Sequence, residues 1–212
     1  VHGNLILNRN DDTSLRKLMS KLFCSDLHIS HRNICKFTDR KLVTTQEDHD
    51  QWLIEIWNKQ VTNSDLVYIL GDVSFGKFDY TQEVLSQMKG QKIVIKGNHD
   101  NEQNLIKLTK SDTIVAWKMY DEIEILDTKT CLFHFAISSW HRQHYGSWHL
   151  FSHSHGAFNP PGKCLDVGID SSYNYFGEHR LFTEQDVVDI MQTKELHIAE
   201  QHRNREREVS YA

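Results

Sequence analysis

Short apolar runs that end abruptly in Asp, Asn or His recur along this chain. KLFCS at 21–25 leads into DLHISHRNI, DLVYILGD ends at Asp72, and KIVIKGNHD ends in Asn98, His99 and Asp100. Apolar runs of this length are typical of buried strands. The polar residues after them gain nothing from strand formation, so they indicate a site built at the strand ends.

The segments between these runs have helical periodicity. A helix is predicted over 45–61, where Trp52, Ile56 and Gln60 recur at four-residue spacing, and further helices over YTQEVLSQM and EQNLIKL. Strand patterns follow in TIVAWKMYDEIEIL, KTCLFHF, WHLFSHSHG and KCLDVGID, and a closing helix begins near Thr183. This order predicts an α/β fold with two packed sheets flanked by helices.

Size and composition exclude several classes of protein. The 212 residues suffice for one domain, and no apolar run approaches the roughly 18 residues that span a bilayer. The N-terminus lacks a secretion-signal pattern and the four scattered cysteines include no CxxC pair, so we expect a cytoplasmic protein with reduced thiols. A net charge of -5 argues against a broad grip on duplex nucleic acid, although a local basic patch can hold a short end.

Three parts of the chain are distinguished by pattern. Residues 1–20 are interpreted as an N-terminal extension of unknown role and residues 21–195 as the folded domain. Residues 196–212 are rich in charge and are interpreted as a solvated tail.

Histidine is unusually abundant, with 14 residues, and several lie at the predicted strand ends beside Asp and Asn. These candidate metal ligands are Asp26, His28, Asp72, Asn98, His134, His153 and His155. Because functional groups gather at the carboxyl ends of strands in α/β sheets, we expect them to converge. Strand geometry also places residues i and i+2 on one side, which would let Asp26 and His28 reach one ion together.

The number and type of these ligands predict two metal ions rather than one. Seven donors exceed what a single tetrahedral ion uses, whereas two ions that share a bridging carboxylate use them naturally. Carboxylate, imidazole and amide oxygen together suit Mn, Fe, Zn or Ni, with Mn favoured, better than a thiolate-bound structural zinc.

The ordered motifs resemble the signature of the calcineurin-like metallophosphoesterases, in particular the small bacterial and bacteriophage members. They are D-x-H at Asp26–His28, G-D at Gly71–Asp72, G-N-H-D at Gly97–Asp100, a lone histidine at His134, and H-x-H at His153–His155. The resemblance covers roughly residues 21–190 and implies the four-layer α/β/β/α sandwich of that family. As an ordered set the motifs are specific, although each short motif alone is not.

The resemblance also implies a role for each residue. Asp26, His28 and His155 would hold the first metal, Asp72 would bridge both, and Asn98, His134 and His153 would complete the second. His99 would donate a proton to the leaving oxygen or steady the phosphate, and Asp100 would orient the His99 ring. His31 and Arg32 could bind the substrate phosphate, or only cap a helix.

Two positions depart from the family pattern. Ser152 stands where the family usually has Gly before H-x-H, and His134 lacks the Pro that often follows it by two residues. His141 is therefore kept as an alternative to His134. Gly97 is expected to allow a tight backbone turn between strand and ligand.

The function implied is hydrolysis of a phosphodiester in a nucleotide, a cyclic nucleotide or a nucleic-acid end, by in-line attack of a metal-bridging hydroxide. Two alternatives stay open: a phosphomonoesterase on a small substrate, and a metal-binding scaffold without activity. The scaffold is disfavoured because His99 and every expected ligand type are present. The resemblance also allows a homodimer, and no membrane association is expected.

Overall fold

Nine strands form two sheets in the computed structural model, which describes residues 20–38, 40 and 45–197. The strands are β1 Lys21–Cys24, β2 Leu66–Ile69, β3 Gln91–Ile95, β4 Ala116–Lys118, β5 Asp121–Ile125, β6 Thr128–Leu132, β7 Trp148–Phe151, β8 Cys164–Asp166 and β9 Phe182–Thr183. The first sheet has the order β4-β3-β2-β1-β9, and the second has the order β5-β6-β7-β8. Strands β1 to β4 run parallel to one another, as do β6 to β8, while the edge strands β9 and β5 pair antiparallel with β1 and β6. The α/β prediction with two sheets and flanking helices is confirmed.

The described helices are α1 Ile34–Phe37, α2 Gln46–Gln60, α3 Phe78–Gln87, α4 Glu102–Lys110, α5 Ile169–Phe176 and α6 Glu184–Thr193. Four of them agree with the predicted helices. Helix α5 was not predicted, and the strand expected to run to residue 170 ends at Asp166. The residues that α5 buries are mostly polar, namely Asp170, Ser171 and Ser172 beside Ile169. The helix has only eight residues and is separated from β8 by only two residues, inside a run that also fits a single strand, so periodicity did not separate the two elements.

The first sheet is buried on both faces. In β2, Val67 and Ile69 pack with the helices α2, α3 and α4, whereas Leu66 and Tyr68 face the second sheet. This double burial explains why β2 reads as a continuous apolar run.

The second sheet contributes the other half of the inter-sheet core. Leu132, Trp148, Leu150 and Leu165 face inward, and α6 adds Val187 and Met191 at the edge. On the outer face, Cys131, Phe151 and Cys164 pack with Trp140 from the segment between β6 and β7. Alternate residues of each strand thus serve two different clusters, as strand geometry requires.

The predicted termini fall largely outside the described part of the chain. Residues 1–19 of the proposed extension and 198–212 of the proposed tail are not described, so both boundaries stay predictions. Within the described residues, no helix is long and apolar enough to cross a membrane.

Replacing Leu150 by Ala should destabilise the protein strongly, because its fully buried side chain lies between the two sheets. We expect a loss of about 2–5 kcal/mol in the free energy of unfolding. Urea denaturation measures it, with Leu196→Ala as the matched control because Leu196 is 42% exposed. Equal midpoints for the two variants would contradict the inter-sheet core.

Candidate metal centre

Two groups of ligand-type side chains converge between the carboxyl ends of the two sheets. Asp26, His28 and His155 form one group, and Asp72, His134 and His153 form the other, each with ligand atoms within 4.8 Å of one another. The seventh predicted ligand is also present, since Asn98 Oδ1 lies 2.9 Å from His134 Nε2.

Asp72 lies between the two groups. Its Oδ2 is 3.6 Å from His134 Nε2 in one group and 4.0 Å from His28 Nε2 in the other. The side chain is 2% exposed. This is the position that a carboxylate shared by two ions requires.

Most of these side chains leave the strands through left-handed backbone. Strand β1 ends at Cys24, so Asp26 and His28 lie after it rather than on it. The φ angles of the residues concerned are 54° at Asp26, 53° at His28, 52° at Asp72, 71° at His153 and 50° at His155. The expectation that i and i+2 converge by strand pleating was therefore wrong. Left-handed turns, which cost on the order of 1–3 kcal/mol each for residues other than Gly, aim these side chains instead.

The loop after β2 and the loop after β3 approach each other closely, and each has a glycine at the contact, Gly71 and Gly97, where no side chain would fit. A Cβ on Gly71, where φ is 95°, would lie 2.5 Å from His134 Nδ1 and 2.7 Å from the backbone of Gly97. A Cβ on Gly97 would collide with the Asp72 carboxylate. The expected role of Gly97 in a tight turn is thus corrected: its φ is ordinary, and what requires glycine is the neighbouring carboxylate.

Asp100 ties these two loops together. Its Oδ2 accepts hydrogen bonds from the backbone N–H groups of Asp72 at 2.9 Å and Gly97 at 2.8 Å, and its Oδ1 accepts one from Val73 at 2.8 Å. The sequence-based expectation that Asp100 orients the His99 ring is therefore corrected. Both carboxylate oxygens are occupied by backbone donors, and the residue positions Asp72.

Asp170 and Arg40 form a buried support that the sequence did not reveal. His155 Nδ1 donates to Asp170 Oδ2 at 2.7 Å, which leaves Nε2 for a metal. The guanidinium of Arg40 binds both oxygens of Asp170 at 2.8 Å and also donates to the backbone carbonyls of Asp26 and Leu27. Burial raises the pKa of the Asp170 carboxyl, but Arg40 and His155 outweigh this effect and hold it well below its usual range.

Ser152, the departure from the family motif, contacts a predicted ligand directly. Its hydroxyl donates a hydrogen bond to Asp26 Oδ2, which also accepts one from the backbone N–H of His153 at 3.3 Å. A glycine there would supply no hydroxyl. The substitution therefore adds a hydrogen bond that orients Asp26.

The electrostatics of the first group fit a bound cation. Among the residues that the structure describes, none hydrogen-bonds to the buried Asp26 Oδ1 or to the two buried ring nitrogens of His28. Burial raises the pKa of Asp26, and burial, together with the nearby Arg40 charge, lowers the pKa of His28 to about 2. His28 is thus neutral at ordinary pH, which is the form that binds metal. Burying ring nitrogens and a carboxylate oxygen without hydrogen-bond partners destabilises the folded protein, unless a cation binds their lone pairs.

The second group fits a cation for a related reason. His134 is fully buried, and its Nδ1 donates to the Leu70 carbonyl at 2.6 Å, which assigns the free lone pair to Nε2. Asn98 Oδ1, a second acceptor, faces the same space at 2.9 Å. Two acceptors that face each other are stabilised by a shared cation. The alternative ligand His141 lies elsewhere, because its Nδ1 pairs with Glu122 at 2.9 Å.

The remaining predicted residues lie at the rim. The His99 ring is exposed, 6.1 Å from the His28 ring and 4.7 Å from Phe75, measured between ring centroids. His31 lies 5.5 Å from His28, whereas Arg32 is exposed in the turn that follows. Their phosphate-binding role stays a prediction. Phe75 and Phe135, which flank the two ligand groups, were missed because exposed aromatic residues have no motif.

Asp170→Asn should weaken metal binding at the group that contains His155. Loss of the carboxylate that orients a ligating histidine lowers metal affinity roughly 10–100-fold. Calorimetric titration of the chelated protein with Mn²⁺ measures the change. Asp189→Asn, at an exposed position on α6, is the matched control and should bind as the parent does. Two sites of parental affinity in Asp170→Asn would contradict this support.

Asp100→Ala should destabilise the fold, because it leaves three buried N–H groups without their acceptor. We expect the free energy of unfolding to fall by about 3–5 kcal/mol. His99→Asn is the comparison, and its stability should change by less than about 0.5 kcal/mol because the ring is exposed. Thermal and urea denaturation of both variants decide the matter. Unchanged stability in Asp100→Ala would return the residue to the originally expected role beside His99.

Comparison with known proteins agrees with this geometry. A family model described as calcineurin-like phosphoesterase matches residues 19–206. An uncharacterised protein of Methanocaldococcus jannaschii is 28% identical over 166 residues, which cover 74% of this chain and 84% of that protein. The gene 66 protein of Mycobacterium phage D29 is 33% identical over 102 residues, so the match spans 47% of this chain and 49% of the phage protein.

A solved structure shares the fold. A protein of unknown function from Aquifex aeolicus superimposes with a TM-score of 0.61 at 18% identity, covering 82% of this chain and 100% of that one. At this identity the likeness concerns the fold alone. The family assignment rests on the match to the family model, which covers most of the chain, and on the two groups of ligand-type residues. The chain belongs to the calcineurin-like phosphoesterase family, for which metal-dependent hydrolysis of phosphoesters is the common activity.

Proposed function

We propose that this protein hydrolyses a phosphodiester, in a nucleotide, a cyclic nucleotide or a nucleic-acid end, with two divalent cations of which Mn²⁺ is the first choice. The observation that carries this proposal is the position of Asp72 between two ligand groups, 3.6 Å from His134 and 4.0 Å from His28. When bound, two such cations activate a water and neutralise charge on a phosphoryl group.

The residues that would hold the cations are the seven predicted ones. Asp26, His28 and His155 supply one group, and Asn98, His134 and His153 the other, with Asp72 shared. Hydrogen bonds with four further residues orient these side chains, namely Asp170, Leu70, Ser152 and Asp100. Because these supports are in place before substrate binds, little reorganisation is needed when charge develops on the phosphoryl group.

His99 is proposed as the proton donor to the leaving oxygen. Its backbone N–H donates to Asp72 Oδ1 at 3.0 Å, which places the residue directly beside the ligand groups. Its ring is exposed and lies at the rim, where a substrate can reach it. A positioned imidazole is the side chain that most often transfers a proton to or from a reacting group in enzymes.

The preference for a diester over a monoester rests on access. Asn98, His99 and His153 are all exposed, so this side of the centre is open to solvent. A diester carries organic groups on both sides of phosphorus and needs such room. A monoesterase on a small substrate would gain more from an enclosed pocket.

The decisive experiment compares bis-p-nitrophenyl phosphate with p-nitrophenyl phosphate as substrates of the chelated protein refilled with Mn²⁺. We expect the diester to be hydrolysed faster, and the rate to fall to background in the chelated protein. His99→Asn should lower kcat about 10²–10⁴-fold, because a positioned general acid contributes about that much.

Two further results complete this test. Asp72→Asn should lose both activity and the second bound Mn²⁺, whereas His99→Asn should keep two bound ions. If the metal-loaded His99→Asn or Asp72→Asn protein hydrolysed the diester as fast as the parent, the proposal would fail. A faster rate on the monoester would favour the phosphomonoesterase alternative.

A further inference from the structure

A groove opens beside His99. It is bordered by the segment 74–79 and by helix α4, and has a volume of about 520 Å³. Small-molecule sites usually have volumes of roughly 300–1,000 Å³. Because His99 lines this groove and is the proposed proton donor, whatever occupies the groove lies on the leaving-group side of phosphorus.

Phe75 forms an apolar wall of the groove. It is 42% exposed, and its ring lies 5.3 Å from His28, 4.4 Å from His31 and 4.7 Å from His99, measured between centroids. Its backbone is held in place, since Phe75 N–H donates to the Ile29 carbonyl at 2.9 Å. A rigid, half-exposed aromatic ring beside a reactive centre offers a planar group a surface for stacking.

Two lysines give the groove positive charge within a chain whose net charge is -5. Lys77 and Lys107 are exposed and line it from opposite sides, with Asp79 as the carboxylate in the lining. Lys107 Nζ lies 5.6 Å from the centroid of the Phe78 ring, which holds the ammonium group at the groove. An exposed aromatic ring and two ammonium groups together match a ligand with a flat ring and an anion.

We propose that this groove binds the leaving group of the diester, and that this group is a nucleoside carrying a second phosphate. Its base stacks on Phe75, and its second phosphate binds Lys107 and Lys77. This inference rests on the proposed function. In the reaction, the oxygen of water bonds to phosphorus and this water gives up a proton to solvent. The bond from phosphorus to the nucleoside oxygen breaks, His99 protonates that oxygen and later regains a proton from solvent, so that a nucleotide and a monoester leave.

The test uses thymidine 3′,5′-bisphosphate, which has both a base and a second phosphate, and inorganic phosphate, which has neither. Calorimetry of the Mn²⁺-loaded 212-residue protein measures both dissociation constants. We expect the bisphosphate to bind at least about tenfold more tightly than phosphate, because a stacked base adds affinity of this order. Lys107→Gln should weaken bisphosphate binding about fivefold and leave phosphate binding unchanged.

Matched variants distinguish a loss of binding in the groove from a general effect of lost charge on affinity. Lys110→Gln removes a charge from the exposed end of α4, outside the groove, and should bind as the parent does. Phe75→Leu should weaken bisphosphate binding about tenfold, and Phe75→Tyr should restore it, because a tyrosine ring also stacks.

The outcomes distinguish this inference from the proposed function. Equal affinity for the bisphosphate and for phosphate, or parental binding in both Lys107→Gln and Phe75→Leu, would overturn the groove assignment. If the bisphosphate binds as expected while the parent hydrolyses neither p-nitrophenyl ester, the groove stands and the proposed activity fails. If the diester is hydrolysed but the variants bind as the parent does, the activity stands and the groove assignment fails.

Discussion

The three hydrogen bonds accepted by Asp100 are the interaction on which the centre depends. They join the loop after β2 to the loop after β3 and so hold Asp72, which lies between the two ligand groups. The two loops approach so closely that a Cβ at Gly71 or Gly97 would collide with the opposite loop. A change in these hydrogen bonds would move Asp72 relative to both His28 and His134, because its carboxylate lies close to both ligand groups.

The candidate metal centre also destabilises the fold locally, through left-handed backbone and buried carboxylates, and other residues compensate for this. Asp26, His28, Asp72, His153 and His155 adopt left-handed backbone, and Asp26 and Asp72 are buried carboxylates. Such strain persists where the surroundings over-determine it. Arg40 contributes to this by binding the carbonyls of Asp26 and Leu27, and it reaches His155 through Asp170. Helix α5 therefore buries polar residues, because it carries Asp170 to this network.

The strands, most helices and the convergence of the candidate ligands could be predicted from the sequence because each leaves a local pattern. Apolar runs predict β1, β2 and β3, and the polar residues directly after them predict the candidate metal centre. Helix α5 could not be predicted, since it has only eight residues and begins inside a run that also fits a strand. Arg40 and Asp170 were also missed, because they meet across 130 residues and no motif joins them. The role of Asp100 was misassigned because adjacency to His99 says nothing about which donors face its carboxylate.

The sequence by itself determined which chemical groups follow each strand, and hence that carboxylate, imidazole and amide ligands would meet at one edge of the sheets. Order along the chain is enough for this, because parallel strands bring their carboxyl ends together. Only the tertiary structure decided how the groups are aimed and held. Those properties arise from left-handed turns, the approach of two loops and hydrogen bonds between distant segments such as Ser152 to Asp26. Each depends on distances through space, which no local pattern in the chain records.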